Sequence, residues 1–276
     1  MTFLINDSPI MGTEGKRFTQ TTLSERLKQE CENNISLRFE PVDGETDAFK
    51  VSGRGEMQLG ILIETIRREG YELAVSPPQV LFREKSPGLI EEPIEEVIVD
   101  CDEIFTGTVI EKITKRKGEL CKMLDGGDGK SRLVFKCPTR GLIGYSSELK
   151  NDTKGPGILN HSFAGYEPHK GAFESSRKGC LVSMSDGTAT AYALADLESR
   201  GQLFVGPGAR IYAGMVIGEC SRAHNLDVNP CRAKVLTNIR SSVKEEFFRL
   251  TPPKLMNLEE LISYMAGKIL PFHFHF

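Results

Sequence analysis

Apolar residues at Leu59, Leu62, Ile63 and Ile66 recur at helical spacing just after a glycine turn at Gly53-Arg54-Gly55. That period predicts an amphipathic helix between two short strands. Glu64 sits three and four positions before Arg67 and Arg68, on the other side of the same helix. Gly70 ends it, and 71–75 returns as a strand. The stretch around it, 1–83, reads β-α-β-β-α-β. A strand over 2–6 leads into turns at Gly12 and Gly15. A helix from 21 or 22 carries Leu23, Leu27 and Cys31 and stops at Asn33-Asn34. Ile35, Leu37 and Phe39 alternate with polar residues, which predicts a strand, and 48–51 pairs back on it. A last strand over 80–82 closes the sheet, with Pro77-Pro78 breaking or edging it. The order is that of a split βαβ, or ferredoxin-like, domain.

The layout repeats after Ser86-Pro87-Gly88. Over 91–168, a strand at 94–99 alternates apolar and acidic residues. A helix over 107–117 points Val109, Ile110 and Ile113 inward and Lys112, Lys115, Arg116 and Lys117 outward, and Gly118 stops it. A hairpin joins 119–123 to 133–137, a helix covers about 141–149, and 158–163 returns as a strand. From 169 to 276 the pattern changes to short apolar runs punctuated by turns, which predicts a mostly β domain. A helix over 256–265 has Asn257 as cap and Glu260 completing a capping box. The tail 270–276 offers no evident partner strand. The fold class predicted is therefore α+β: two ferredoxin-like split βαβ domains at 1–83 and 91–168, then a mostly β domain at 169–276.

Composition alters this picture little, and charge alters it more. With 39% hydrophobic and 26% charged residues, 276 residues suit two or three soluble domains. No stretch is apolar enough to cross a bilayer, and the first residues do not read as a signal or transit peptide. Seven scattered cysteines form no CxxC pair and no zinc spacing, which favours free thiols in a reducing compartment. The net charge of -3 hides two runs. Glu84 to Glu103 holds eight acidic residues and one basic, whereas Gly107 to Lys170 holds twelve basic residues and seven acidic. A basic middle can gather polyanions, although both runs also suit solvated faces.

Chemistry is sparse. Gly129-Lys130-Ser131 invites a phosphate-loop reading, but the spacing fails at Leu124 and the lysine leads into a strand rather than a helix. The five histidines fall in no nucleophile, metal or acid–base signature, and His161 reads as a satisfied strand residue. His273 and His275 alternate, which is weak ground for a metal. No catalytic residue, cofactor or metal is implied. Nucleic-acid binding has better support: the basic helix at 112–117, the neighbouring Arg132, Lys136 and Arg140, and the polar, basic stretch 222–244.

Several motifs in order carry a resemblance. Val51-Ser52-Gly53-Arg54-Gly55-Glu56-Met57-Gln58-Leu59 is similar to VSGRGELHL, with Met57-Gln58 substituted. Residues 67–73 are similar to RREGFEL, 138–144 to PSRGLIG, and 228–230 with 236–240 to VNP and LTNxR. Over roughly 1–265 the chain resembles the C-terminal portion of the BipA/TypA ribosome-associated translational GTPases, relatives of elongation factor G. The resemblance implies that 1–83 is like the third domain of such a factor, 91–168 like its domain V, and 169 onward like the C-terminal domain particular to the family. The GTPase and β-barrel domains have no counterpart here, so GTP binding is not expected.

The resemblance further implies ribosome binding, with roles in ribosome assembly or translation under stress. The partners implied are tRNA and large-subunit ribosomal RNA in the A-site region. On that basis Arg222, Asn225, Arg232, Lys234, Asn238, Arg240 and Lys244 are the RNA-contact candidates. Lys112, Lys115, Arg116 and Lys117 form a second set, and Gly141 and Gly144 shape a turn and close packing. A monomer is expected, in a bacterial cytoplasm or a chloroplast stroma. Two departures stand out: Ser241-Ser242 replaces a family ASG, and 267–276 replaces a family strand and basic tail, which suggests a truncated or misassembled product. The competing expectation is a protein-docking module without direct RNA contact.

Overall fold

A computed structural model describes residues 1–12, 15–16, 19–42, 44, 47–172, 179–233, 250–266 and 274–275. The protein is a mixed α+β fold in two compact units, Met1–Ser175 with Leu258–Phe276, and Ser176–Asn257. In the first unit, β1 (Thr2–Ile5), α1 (Gln20–Asn33), β2 (Arg38–Pro41), β3 (Ala48–Ser52), α2 (Glu56–Arg68) and β4 (Leu73–Val75) follow the predicted order. The strands lie β4-β1-β3-β2, all antiparallel. Leu59, Leu62, Ile63 and Ile66 on α2 are buried with Leu23 and Leu27 of α1, as their spacing requires. Each such side chain contributes roughly 2 kcal/mol by leaving water. Glu64 pairs with both Arg67 and Arg68, and Gly70 adopts a left-handed φ of 84°. The turns after β1 gather on buried Glu72, whose carboxylate accepts from Asn6 and from the amides of Gly12 and Gly15.

Two expectations fail in this layer. Ile35 is 99% exposed, because Asn34 caps a turn there by accepting from the amide and hydroxyl of Ser36, and β2 starts only at Arg38. Residues 80–82 add no strand, and Leu81 and Phe82 are exposed. Instead β5 (Arg83–Ser86) pairs with β6 (Leu89–Asp102) of the next sheet.

That sheet holds α3 (Thr106–Lys115), β7 (Glu119–Gly127), β8 (Lys130–Pro138), α4 (Thr139–Leu142), α5 (Tyr145–Asp152) and β9 (Ile158–Pro168). β6 pairs with both β8 and β9, and β7 with β8. Val97, Val99, Leu133 and Phe135 face Val109, Ile113 and Leu149 of the helices in a separate core. The hairpin between β7 and β8 turns on Gly127, Asp128 and Gly129, all at positive φ, so Lys130 enters a strand and no phosphate loop forms. The expected helix over 141–149 is broken in two, because Gly144 at φ 77° cannot continue α4.

The second unit carries β10 (Cys180–Ser183), β11 (Gly187–Thr188), α6 (Ala191–Glu198), β12 (Gly201–Leu203), β13 (Arg210–Ile211), β14 (Val216–Cys220) and β15 (Leu226–Val228). Its main sheet runs β12-β14-β10-β15. It is mostly β, except that the apolar run from Thr188 to Leu194, read as part of a β pattern, enters α6. Thr190 caps that helix by accepting from the amide of Ala193.

The last two elements belong with the first unit. α7 (Leu258–Ala266) begins right after Asn257, and it packs Ile262 and Met265 into the core of the β1–β4 layer. The tail does find a partner: β16 (Phe274–His275) adds to β4, with Phe274 opposite Val75. All seven cysteines are free thiols.

Candidate nucleic-acid interface

The basic helix α3 does not offer its cations to solvent evenly. Lys112 points at α5, with Nζ 2.6 Å from Glu148 and 2.7 Å from Asp152. Burial alone would lower its pKa, but the two carboxylates outweigh that and raise it. Arg116 donates to Glu148 and, at 2.7 Å, to the carbonyl of Gly141, and its guanidinium lies 5.1 Å from the Tyr145 ring centroid. Lys115 pairs with Glu111 along the helix. Lys117 is exposed at a left-handed φ of 66° and has no ion pair among the described residues. Two of these four side chains thus clamp α3 to α5. Gly141 serves that clamp, since a Cβ there would sit 2.8 Å from the Arg116 carbonyl.

The basic middle and the acidic run turn out to be neighbours. Strand pairing sets Asp100 opposite Arg132, Asp102 opposite Lys130 and Glu96 opposite Lys136. Arg132 bonds Asp100 at 2.7 and 2.9 Å, and Lys136 lies 3.9 Å from Glu167. Arg140 binds buried Glu92, which also accepts from the amide of Lys170 at 2.8 Å. His161 bonds Glu95 through Nδ1, the satisfied strand role its sequence suggested, and this raises its pKa. Opposite charges facing each other across a ladder stabilise the sheet and leave little net field.

The 176–257 unit is different. Among the described residues its cations Arg200, Arg210, Arg222, Arg232 and Lys254 make no ion pair. Arg222 and Asn225 flank one end of β10. The Arg222 carbonyl accepts from Gly179, the Asn225 side chain accepts from the Cys180 amide at 2.9 Å, and the Arg222 side chain is exposed. Asn225 therefore holds the loop that displays Arg222. A Cβ on Gly179 would overlap the His224 carbonyl, so that approach requires glycine.

Arg232 lies beyond the other end of β15, where its carbonyl accepts from Thr190, and its side chain is exposed. There it lines a cleft of about 550 Å³ with Arg200, Tyr192, Asn229, Asp196 and Asp227. The structure thus splits Arg222 and Asn225 from Arg232 rather than gathering them. Lys234, Asn238, Arg240 and Lys244 lie outside the described residues, as does His273. Arg200 and Arg210 are exposed cations, and Lys254 a half-buried one, that the sequence reading missed. Each stands alone among small or apolar neighbours, so no charge run marks them.

The comparisons find two families along the chain. Residues 89–177 match the elongation factor G C-terminus, and 178–269 match the TypA/BipA C-terminal domain. The chain is 46% identical over 266 residues to a Bacillus subtilis protein, "Large ribosomal subunit assembly factor BipA". That alignment covers 96% of this chain and 43% of the relative. Proteins of the same name from Synechocystis and Escherichia coli K12 are 44% and 43% identical, each with 96% of this chain and 44% of the relative covered. The chain therefore spans less than half the length of these relatives, and the 276 residues hold no GTPase domain. The chain corresponds to the C-terminal region, elongation factor G C-terminus followed by TypA/BipA C-terminal domain, of the BipA/TypA family of translational GTPases.

Proposed function

We propose that this chain binds the ribosome by recognising the shape and charge of folded RNA, without catalysis. The targets are large-subunit ribosomal RNA in the A-site region and tRNA, in the service of ribosome assembly or translation under stress. One observation carries the reading: among the described residues Arg200, Arg210, Arg222 and Arg232 of the 176–257 unit are exposed and free of ion pairs, whereas Lys112, Arg116, Arg132 and Arg140 of the other unit are each held by a carboxylate. An unpaired guanidinium meets a phosphate without first breaking an internal pair. Arg222 and Arg232 contact RNA directly, and Asn225 presents the loop. Lys234, Asn238, Arg240 and Lys244 extend the surface, with Lys115 and Lys117 as the solvent-facing part of the α3 set. The relatives' name, a large-subunit assembly factor, agrees.

The fold reading goes with it. Strand orders of β4-β1-β3-β2 and β9-β6-β8-β7 support two ferredoxin-like domains over 1–83 and 91–168, resembling elongation factor G domains III and V. The RNA-binding domain follows from 169. The chain acts as a monomer, in a bacterial cytoplasm or chloroplast stroma, and does not bind GTP. Among the described residues no helix is long and apolar enough to cross a membrane. A protein-docking role is the second reading for the first unit, favoured by the self-neutralised face of β6 and β8, which gives RNA little to hold.

Binding to purified large ribosomal subunits over a salt series tests the proposal. Affinity should fall steeply as salt rises, because phosphate neutralisation releases counterions. The double variant Arg222→Ala with Arg232→Ala should flatten the log–log slope by about 2. An affinity that holds steady from low to physiological salt would sink the RNA reading.

A further inference from the structure

Helix α7 is remote in sequence from what it touches. Ile262 faces Gly60 of α2, where an added Cβ would lie 3.1 Å from its Cδ1, and Ser263 packs on Gly144 at the head of α5. One helix thus bridges both layers of the first unit. It is also where the chain re-enters that unit after leaving at Ser175. The 176–257 unit is an insertion with two covalent tethers, and α7 anchors one of them.

The α7 contact sets Leu258 and Ile262 over Gly60, and Glu64, Thr65 and Arg68 of α2 line the cavity beside it. Glu259 in its first turn and Glu56 at the start of α2 line the same cavity of about 300 Å³. The Oε2 atom of Glu56 is buried and lacks a hydrogen-bond partner. From the second sheet, Glu95 on β6 and His161 on β9, bonded to each other, act on Glu56 through space, and Thr139 at the head of α4 donates to the Pro93 carbonyl. Glu95 bonds His161, and Glu56 acts on the same ring through space. A buried carboxylate with no donor favours its neutral form.

We infer that α7 is a proton-controlled clasp, docked tightly on α2 while Glu56 is neutral and His161 charged, and loosened as the pH rises. Burial first, then Glu259, pushes the Glu56 carboxyl up. Glu95 adds to the shift and His161 opposes it. Docking is therefore strongest below the ordinary carboxylate value of 4.5 and weakens as pH climbs through the raised one. The bond to Glu95 raises His161 above 6.5, so its charge persists below that value and is lost as pH climbs through the raised one. Both groups act in the same direction.

Hydrogen exchange of the full chain, read by mass spectrometry at pH 4.0 and 8.0 and corrected for intrinsic rates, tests the clasp. The opening constant of the α7 amides should rise more than about threefold across that range. Amides of β10 and β14 in the 176–257 unit should keep theirs. Glu56→Gln removes the titrating group and should flatten the rise, and Glu259→Gln should reduce it. An α7 opening constant that ignores pH, or a rise retained in full in both variants, overturns the inference.

Discussion

Arg140 shows how a residue's chemistry changes once its neighbour is known. In sequence it is one of a basic series that suits phosphate. In the fold it fills the space beside Glu92, which is fully buried on β6, and reaches the carbonyl of Gly171. Burial alone would raise the Glu92 carboxyl, but Arg140 and the Lys170 amide outweigh it and hold the pKa below the usual carboxylate range. A group so lowered stabilises the fold above its unfolded value, and the contribution is lost as pH falls through the lowered one. Arg140→Ala leaves a buried, unpaired carboxylate and should cost roughly 3–5 kcal/mol at neutral pH. The loss should shrink in acid, where Glu92 takes up a proton. Urea unfolding at pH 7 and pH 4 measures both. An Arg140→Ala protein with unchanged stability at pH 7 would mean that the pair is a surface ornament after all.

At the scale of elements, the glycines decide where helices stop and how closely they meet. Gly144 sits at φ 77° and brings α5 against Ser263 of α7, with 3.3 Å from a would-be Cβ to the Ser263 Cβ. Gly144→Ala meets left-handed strain of roughly 1–2 kcal/mol in addition to that contact. Gly60 lies inside α2 at an ordinary φ, and an added Cβ meets only side-chain tips, Ile262 Cδ1 at 3.1 Å and Leu258 Cδ2 at 3.7 Å. There Gly60→Ala gains helix propensity of up to about 1 kcal/mol, which offsets the crowding. Opposite outcomes at two positions under one helix, read from urea midpoints, would establish which constraint is backbone and which is space. The same elements show what the sequence could convey. The period of α2, the first helix and the β7–β8 hairpin were legible because each is a local pattern with its own stop signal. Ile35 was misread because an Asn34 turn and a strand edge share one alternation. α6 was misread because a short apolar run fits a helix and a strand alike. The docking of α7 and β16 onto the first layer depends on contacts some two hundred residues apart, which no window records.

For the whole molecule, the useful division is between charge spent inside and charge left outside. Counting lysines and arginines along the chain made 107–170 look like the basic surface. Strand register reverses that impression, because Arg132 and Lys136 lie across from Asp100 and Glu96, and α5 supplies Glu148 and Asp152 to α3. Register is a property of pairing, so a one-dimensional count cannot contain it. The candidates at Arg222 and Arg232 were reachable from the sequence only through family likeness, and their separation at two ends of one sheet was not. A double dissociation follows from this division. Lys112→Ala with Arg116→Ala breaks the α3–α5 clamp and should lower stability by about 1–2 kcal/mol, with little change in affinity for large ribosomal subunits. Arg222→Ala with Arg232→Ala removes side chains that hold nothing else among the described residues, so the unfolding midpoint should stay put while ribosome affinity drops. Thermal melts and subunit co-sedimentation on the two double variants and the unsubstituted chain give both numbers. If the α3 pair weakens ribosome binding without touching stability, the cations of the first unit are the interface and those of the second are not.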